Sequence, residues 1–304
     1  MNTLITGANG FIGQHLEKKL LSTEKTLILM SRAKLKTVVS QNYQWYQSQW
    51  LENIHCIIHL AALVHSADQT KLTLKDYRAT NTLGTLNLAR QAAAAGAKRF
   101  IFLSTIKVNG EENQTPYTEK STPNPKDYYA ISKWEAEQGL KELSKETGME
   151  VVIIRPPLVY GSNVKANFLK MMQWVDKGVP LPFGAIHNQR SLIYVDNLVD
   201  FIIHCLEHPQ AANETFLISD GQDLSTTELL KKLAYYFNKD NYLLPMNPSL
   251  LNTLLTLMGK KAEAQRLLGS LTINSNYARS QLNWKPPFSV DEGLARTVQS
   301  YQQN

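Results

Sequence analysis

The chain has 304 residues, of which 43% are hydrophobic and 19% charged, with a net charge of +6. That balance excludes a mainly disordered chain, and 15 glycines with 2 cysteines exclude a collagen-like repeat and a disulfide scaffold. No apolar stretch approaches the roughly 20 residues of a membrane span, and the lysine pairs at 18–19, 231–232 and 260–261 stand apart without interleaved aromatics, so neither a membrane span nor nucleic acid is expected.

In chain order, Leu4 and Ile5 open an apolar run that ends at Gly7, and no leader peptide is expected before it. Phe11, Ile12, Leu16 and Leu20 then recur at helical spacing. Residues 27–30 read as a second strand and 43–46 as a weaker third. Residues 55–62 form a continuous apolar run, as in a strand buried on both faces. A helix over 70–95 stops at Gly96, a strand covers 99–103, a helix over 127–147 stops at Gly148, and a strand over 150–154 closes at Pro156 and Pro157. This alternation predicts an α/β fold with a doubly wound, Rossmann-type parallel sheet that takes ligands at the carboxyl ends of its strands. Beyond it, 178–190 reads as loop, 195–207 as helix and 215–218 as strand. Residues 225–237 read as a helix opened by the capping pattern Ser225-Thr226-Thr227-Glu228, and 249–268 and 290–302 as further helices. The expected division is a nucleotide-binding lobe over 1–160, extended by about 190–218, and a smaller C-terminal substrate lobe over 161–304. Cys56 and Cys205 lie inside apolar runs and read as buried free thiols, with no metal site; a reducing, cytoplasmic setting is expected.

Gly7, Gly10 and Gly13 lie between the first strand and the first helix, where glycine lets backbone N–H groups approach a pyrophosphate at a helix N-terminus. An Asp or Glu about 20 residues further on would bond the ribose hydroxyls of NAD. The second strand ends instead in Ser31-Arg32, without an acid, and Arg32 suits a 2′-phosphate with Ser31 as a hydroxyl donor. NADP(H) is therefore the expected cofactor and NAD(H) the alternative.

Tyr129 and Lys133 stand four apart, on one face of the predicted helix. An ammonium beside a phenol stabilises the phenolate, and a phenol tuned this way exchanges a proton with a sugar hydroxyl. Tyr128 is one position off that spacing. Ser104 and Thr105 both end a strand at the ligand edge, and either hydroxyl can bond a reacting oxygen. Asn81, inside a helix, either opens it locally or faces solvent.

Together these motifs resemble the extended short-chain dehydrogenase/reductases of the NAD-dependent epimerase/dehydratase group. The matching pieces are TGANGFIG at 6–13, HLAA at 59–62, NTLGTLNL at 81–88, LSTIKVNG at 103–110, YAISK at 129–133, RPPLVYG at 155–161, RSLIYVDNLVD at 190–200 and LNW at 282–284. The resemblance implies a catalytic set of Thr105, Tyr129 and Lys133, with Thr105 chosen because that family's hydroxyl stands five residues before a glycine, here Gly110. It implies cofactor contacts from the glycine loop with Phe11 and Ile12, from Leu60, Ala61, Ala62, Asn81 and Pro156, and from Tyr129 and Lys133. It further implies a sugar nucleotide held by Arg190 and Asn167, with Arg266 as a second phosphate contact, Thr105 and Lys107 beside the sugar, and a homodimer through helices 70–95 and 127–147. Family dehydratases carry Asp-Glu after the catalytic threonine; here Ile106-Lys107 stand there, which argues against dehydration. The expected activity is oxidoreduction at C4 of a UDP-sugar, first as a 4-keto-sugar reductase of bacterial polysaccharide precursor synthesis, alternatively as a UDP-glucose or UDP-N-acetylglucosamine 4-epimerase with bound NAD. A non-catalytic nucleotide sensor has no need of the retained Thr105, Tyr129 and Lys133.

Overall fold

A computed structural model describes residues 2–21, 27–30, 51, 53–64, 72–240 and 242–303. Its strands are β1 (Thr3–Thr6), β2 (Leu27–Met30), β3 (Cys56–His59), β4 (Arg99–Leu103), β5 (Glu150–Arg155), β6 (Leu158–Tyr160), β7 (Leu192–Tyr194) and β8 (Thr215–Leu217). Among the described residues one parallel sheet runs β2-β1-β3-β4-β5-β8, and β6 pairs in parallel with β7 in a second, two-stranded sheet. The chain leaves β1 toward β2 and returns to β3 on the other side of β1. This reversal opens a crevice at the carboxyl ends of β1 and β3, where such sheets bind ligands.

Burial on both faces follows from the apolar runs. Ile5, Ile58, Ile101, Val152 and Ile154 point into one core, and Leu4, Ile57, Phe100, Phe102, Val151 and Ile153 into the other, the period-two alternation of a strand. The first core is covered by α1 (Phe11–Leu21), by α6 (Val195–Glu207), and by Ala278 and Leu282 of α10 (Asn276–Leu282). The second is covered by α3 (Thr85–Ala94) and α4 (Tyr128–Thr147). A third core holds Tyr160, Phe168, Tyr194, Leu230 and Leu294, contributed by β6, β7, α5 (Ala166–Asp176), α7 (Thr226–Tyr236) and α11 (Val290–Gln302).

The predicted helix 70–95 is three pieces: α2 (Leu74–Tyr77), a wider π-helical turn (Arg78–Gly84), and α3. The predicted helix 249–268 breaks at Gly259, whose φ of 73° sits in the left-handed region, into α8 (Pro248–Leu257) and α9 (Lys261–Leu268). Strand β8 pairs with β5 in the main sheet, whereas β7 pairs with β6. Strands β6 and β7 are three residues each, too short to show a period. Cys56 and Cys205 are buried thiols with no disulfide between them. Among the described residues no helix is long and apolar enough to cross a membrane. The third strand expected at 43–46, and Ser31 and Arg32, lie outside the described residues.

Candidate active site

The glycine loop packs directly on the end of β3. Gly7 has φ 74°, and a Cβ on it would lie 2.8 Å from the Ala61 amide nitrogen and 3.0 Å from the Leu60 carbonyl carbon. A Cβ on Gly13 would run into the Gly7 and Ala8 carbonyl oxygens. The loop is therefore a backbone cradle that side chains would fill. Helix α1, beginning at Phe11 and Ile12, follows it with no acid in its first turn, so its positive end faces an anion unopposed. These residues fit a dinucleotide pyrophosphate.

Beneath the cradle runs a directed chain of hydrogen bonds. The Ala61 N–H donates to Thr6 Oγ1 at 3.3 Å, and Thr85 Oγ1 donates to the Asn81 carbonyl at 2.7 Å. With those hydroxyls so engaged, Thr6 donates to His59 Nδ1 at 2.7 Å and His59 Nε2–H donates to Thr85 at 2.9 Å. Burial, with Lys133 adding, lowers the His59 pKa to about 3, so the ring is neutral.

Asn81 does not face solvent. It is buried in the π-helical turn, its Oδ1 accepts the Leu63 N–H at 2.7 Å, and its Nδ2 donates to the Leu63 carbonyl and to Ser132 Oγ, each at 3.0 Å. The helix opens locally, as one of the two sequence readings had it, and the amide ties the segment after β3 to α4.

The substrate-side residues converge. Thr105, Lys107, Tyr129, Asn167, Arg190 and Arg266 all line one cleft of about 590 Å³. Sequence reasoning did not single out Lys170, Trp174, Lys260 and Glu263, which share it, because nothing in their spacing sets them apart from other residues on helix surfaces and ends. Tyr129 lines the cleft, whereas Tyr128 is 48% exposed to solvent. Thr105 caps the turn Ile106–Val108, accepting the Lys107 N–H at 3.3 Å. Ser104 instead is buried and donates to Glu137. Pro156 is buried, and its carbonyl accepts the Ile106 N–H at 3.0 Å, which fixes the Thr105 turn against the end of β5.

One expectation needs correction. Lys133 was expected to lower the Tyr129 phenol. The phenol is pushed up by burial, with the Asp127 carboxylate adding to the shift. Lys133 is itself buried, its Nζ lies 3.8 Å from the centre of the Phe102 ring, and burial lowers its pKa to about 7 against the opposing pull of Glu137. Lys107, expected at the sugar, does line the cleft, but its ammonium is held by Glu111 at 3.1 Å and by Asp127 at 2.5 Å. Asp127 also caps α4 by accepting the Ala130 N–H at 2.7 Å, so Lys107 ties the Thr105 turn to the start of the tyrosine helix.

Arg190 donates to the Gly269 carbonyl at 2.9 Å, and burial, helped by repulsion from Arg266, lowers its pKa to about 10. Two guanidiniums close enough to repel suit a diphosphate between them. A fully buried pair, Arg155 with Glu137, lies one turn beyond Lys133 on α4, and Arg155 reaches Asn109 Oδ1 at 3.0 Å. In the sequence Arg155 closes an apolar strand, which marks one charge but not its partner on α4.

The fold and the cleft define a nucleotide-dependent enzyme of the extended short-chain dehydrogenase/reductase type, with a dinucleotide cradle beside a Tyr/Lys-bearing helix. The sequence profile of the NAD dependent epimerase/dehydratase family matches residues 3–219, and the chain belongs to that family. It is 42% identical to a UDP-glucose 4-epimerase of Vibrio cholerae over 99% of this chain and 95% of that protein. Among solved structures it resembles UDP-glucuronic acid 4-epimerase from Bacillus cereus in complex with NAD, with a TM-score of 0.79, 20% identity and coverage of 100% and 99%. It also resembles RMD from Pseudomonas aeruginosa complexed with NADPH, with a TM-score of 0.76, 21% identity and coverage of 100% and 99%. The chain is thus an NAD(P)-dependent sugar-nucleotide enzyme of the epimerase and reductase type.

Proposed function

We propose that this chain is a 4-epimerase of a UDP-linked hexose that works with NAD. The observation that carries this reading is a cleft that gathers Thr105, Tyr129, Arg190 and Arg266 in a chain 42% identical to a UDP-glucose 4-epimerase over almost its whole length. The epimerase is favoured over the 4-keto reductase on that likeness. The reductase keeps one supporting observation, the Ser31-Arg32 ending of the second strand.

In this reading the glycine cradle and α1 hold the pyrophosphate, and the bound nicotinamide supplies reversible hydride exchange at C4. Arg190 and Arg266 hold the substrate diphosphate. The Thr105 hydroxyl bonds O4. Tyr129 accepts the O4 proton as C4 becomes a ketone and returns it once the sugar presents its other face. Burial disfavours the phenolate, so Tyr129 takes up the O4 proton only after its own proton has passed to solvent, and positive charge on Lys133 holds the phenolate that results. A 4-epimerase needs no carboxylic acid at 106 or 107 and makes no net redox change. A homodimer through the helices at 74–94 and 128–147 belongs to the same reading; Leu83 and Tyr128 are exposed there.

The test is incubation of purified protein with UDP-glucose and with UDP-N-acetylglucosamine, without added cofactor, followed by NMR of the C4 epimers. Conversion to an equilibrium mixture is expected. Stoichiometric NADPH consumption on a UDP-4-keto sugar, with no epimerisation, would establish the reductase instead.

A further inference from the structure

Helix α8 turns its apolar side to solvent. Leu250, Leu254, Leu257 and Met258 are 53%, 43%, 80% and 64% exposed. At about 3.6 residues per turn these four fall on one stripe about 100° wide. Their neighbours Leu251 and Leu255 turn inward, Leu251 into the third core and Leu255 onto the substrate cleft. Ser249, Asn252 and Thr256 occupy the opposite side of the helix. Single exposed leucines are ordinary on a protein surface, but a continuous stripe marks a contact. No Asp or Glu occurs between residues 241 and 262, and Lys260 and Lys261 follow directly after the helix.

That charge pattern selects the occupant. A second copy of this face would set Lys260, Lys261 and Arg266 against Glu263 alone from the same hairpin, an excess of positive charge on both sides. An anionic bilayer takes the apolar stripe at its acyl boundary and offers phosphates to the lysines. We propose that α8 docks this chain on an anionic phospholipid surface, with Leu254, Leu257 and Met258 entering the interface and Lys261 lying at the headgroups. Leu255, Lys260 and Arg266 of the same helical hairpin wall the substrate cleft, so docking brings the rim of the cleft to the membrane surface.

Vesicle flotation of the full chain tests this without any turnover, and so independently of the reaction assigned above. Vesicles of phosphatidylcholine with phosphatidylglycerol should capture the protein, and phosphatidylcholine alone should capture it much less. Lys261→Ala should weaken capture about fivefold. The triple variant Leu254→Ser/Leu257→Ser/Met258→Ser should lose capture yet stay folded, since Leu257 and Met258 are largely exposed and Leu254 is partly so. The proposal is overturned if anionic vesicles leave the wild type in solution, or if the triple variant floats equally well. It is also overturned if that variant halves the solution mass while neither protein floats, since the stripe would then be a contact between copies.

Discussion

Tyr129 and Tyr128 are neighbours in sequence with opposite surroundings, since one lines the cleft with Thr105 and the other lies in solvent against Tyr77. Tyr129→Phe removes only a hydroxyl, so the fold should survive while kcat falls by about 10²–10⁴-fold, and Tyr128→Phe should keep most activity. Steady-state kinetics of the two variants check the assignment; near-normal turnover in Tyr129→Phe would end it. Lys133 carries a different signature. Its pKa is lowered by burial from 10.5 to about 7, so between those values the unfolded chain binds a proton that the native protein does not. Stability of the cofactor-free protein should therefore rise with pH across that window. Lys133→Met, uncharged throughout, should flatten that rise, and denaturant midpoints followed from neutral to alkaline pH measure it. An unchanged slope would mean that Lys133 is solvated in the native state.

At the scale of elements, the site depends on how three segments are tied together. The Thr105 turn follows β4, the tyrosine helix is α4, and β5 ends in Arg155. Glu137 of α4 accepts from Ser104 at the end of β4 and from Arg155, with the Arg155 Nε contact at 3.0 Å. Arg155 also stacks over Trp134, 5.6 Å from its ring centre. Both charges are buried, at 2% and 0% exposure. Removing one partner strands the other charge away from water, so Arg155→Met should cost about 3–5 kcal/mol, whereas the double variant Arg155→Met/Glu137→Gln should recover part of that loss. Urea unfolding of the three proteins decides between this and a loss that simply adds. The π-helical turn at Arg78–Gly84 belongs to the same logic. Its extra width brings the Asn81 amide onto Leu63 and Ser132, so a helix irregularity positions the segment after β3.

For the whole molecule, what was legible in the sequence followed from repetition. Apolar runs separated by amphipathic stretches fixed the doubly wound sheet, because strands buried on both faces must be continuously apolar and helices covering them must be striped. The candidate site residues were legible where a spacing marked them, as with Gly7, Tyr129 and Lys133, whereas the strand end left Ser104 and Thr105 open and only the family resemblance chose Thr105. Lys107's partners and the Arg155–Glu137 pair were not, because they arise from contacts between segments far apart in the chain. Nor did the sequence show that the cleft concentrates cations. Lys170, Arg190, Lys260 and Arg266 line it, and Glu263 is the one carboxylate among the described residues that do, in a protein of net charge +6. Lys170, Lys260 and Arg266 are exposed and Arg190 is half-buried. Salt screens exposed charges over a Debye length of about 8–10 Å and buried ones much less. Affinity for UDP should therefore fall as ionic strength rises. Arg266→Ala should flatten that dependence, because it removes a screened charge. Arg190→Ala should lower affinity at every salt concentration by about 1.5–3 kcal/mol, the loss of a charged hydrogen bond in a desolvated site, and leave the salt slope nearly unchanged. Isothermal titration of UDP into the three proteins at low and physiological ionic strength separates these effects. Equal salt slopes for wild type and Arg266→Ala would place Arg266 outside the field the diphosphate feels, leaving Arg190 as its principal anchor.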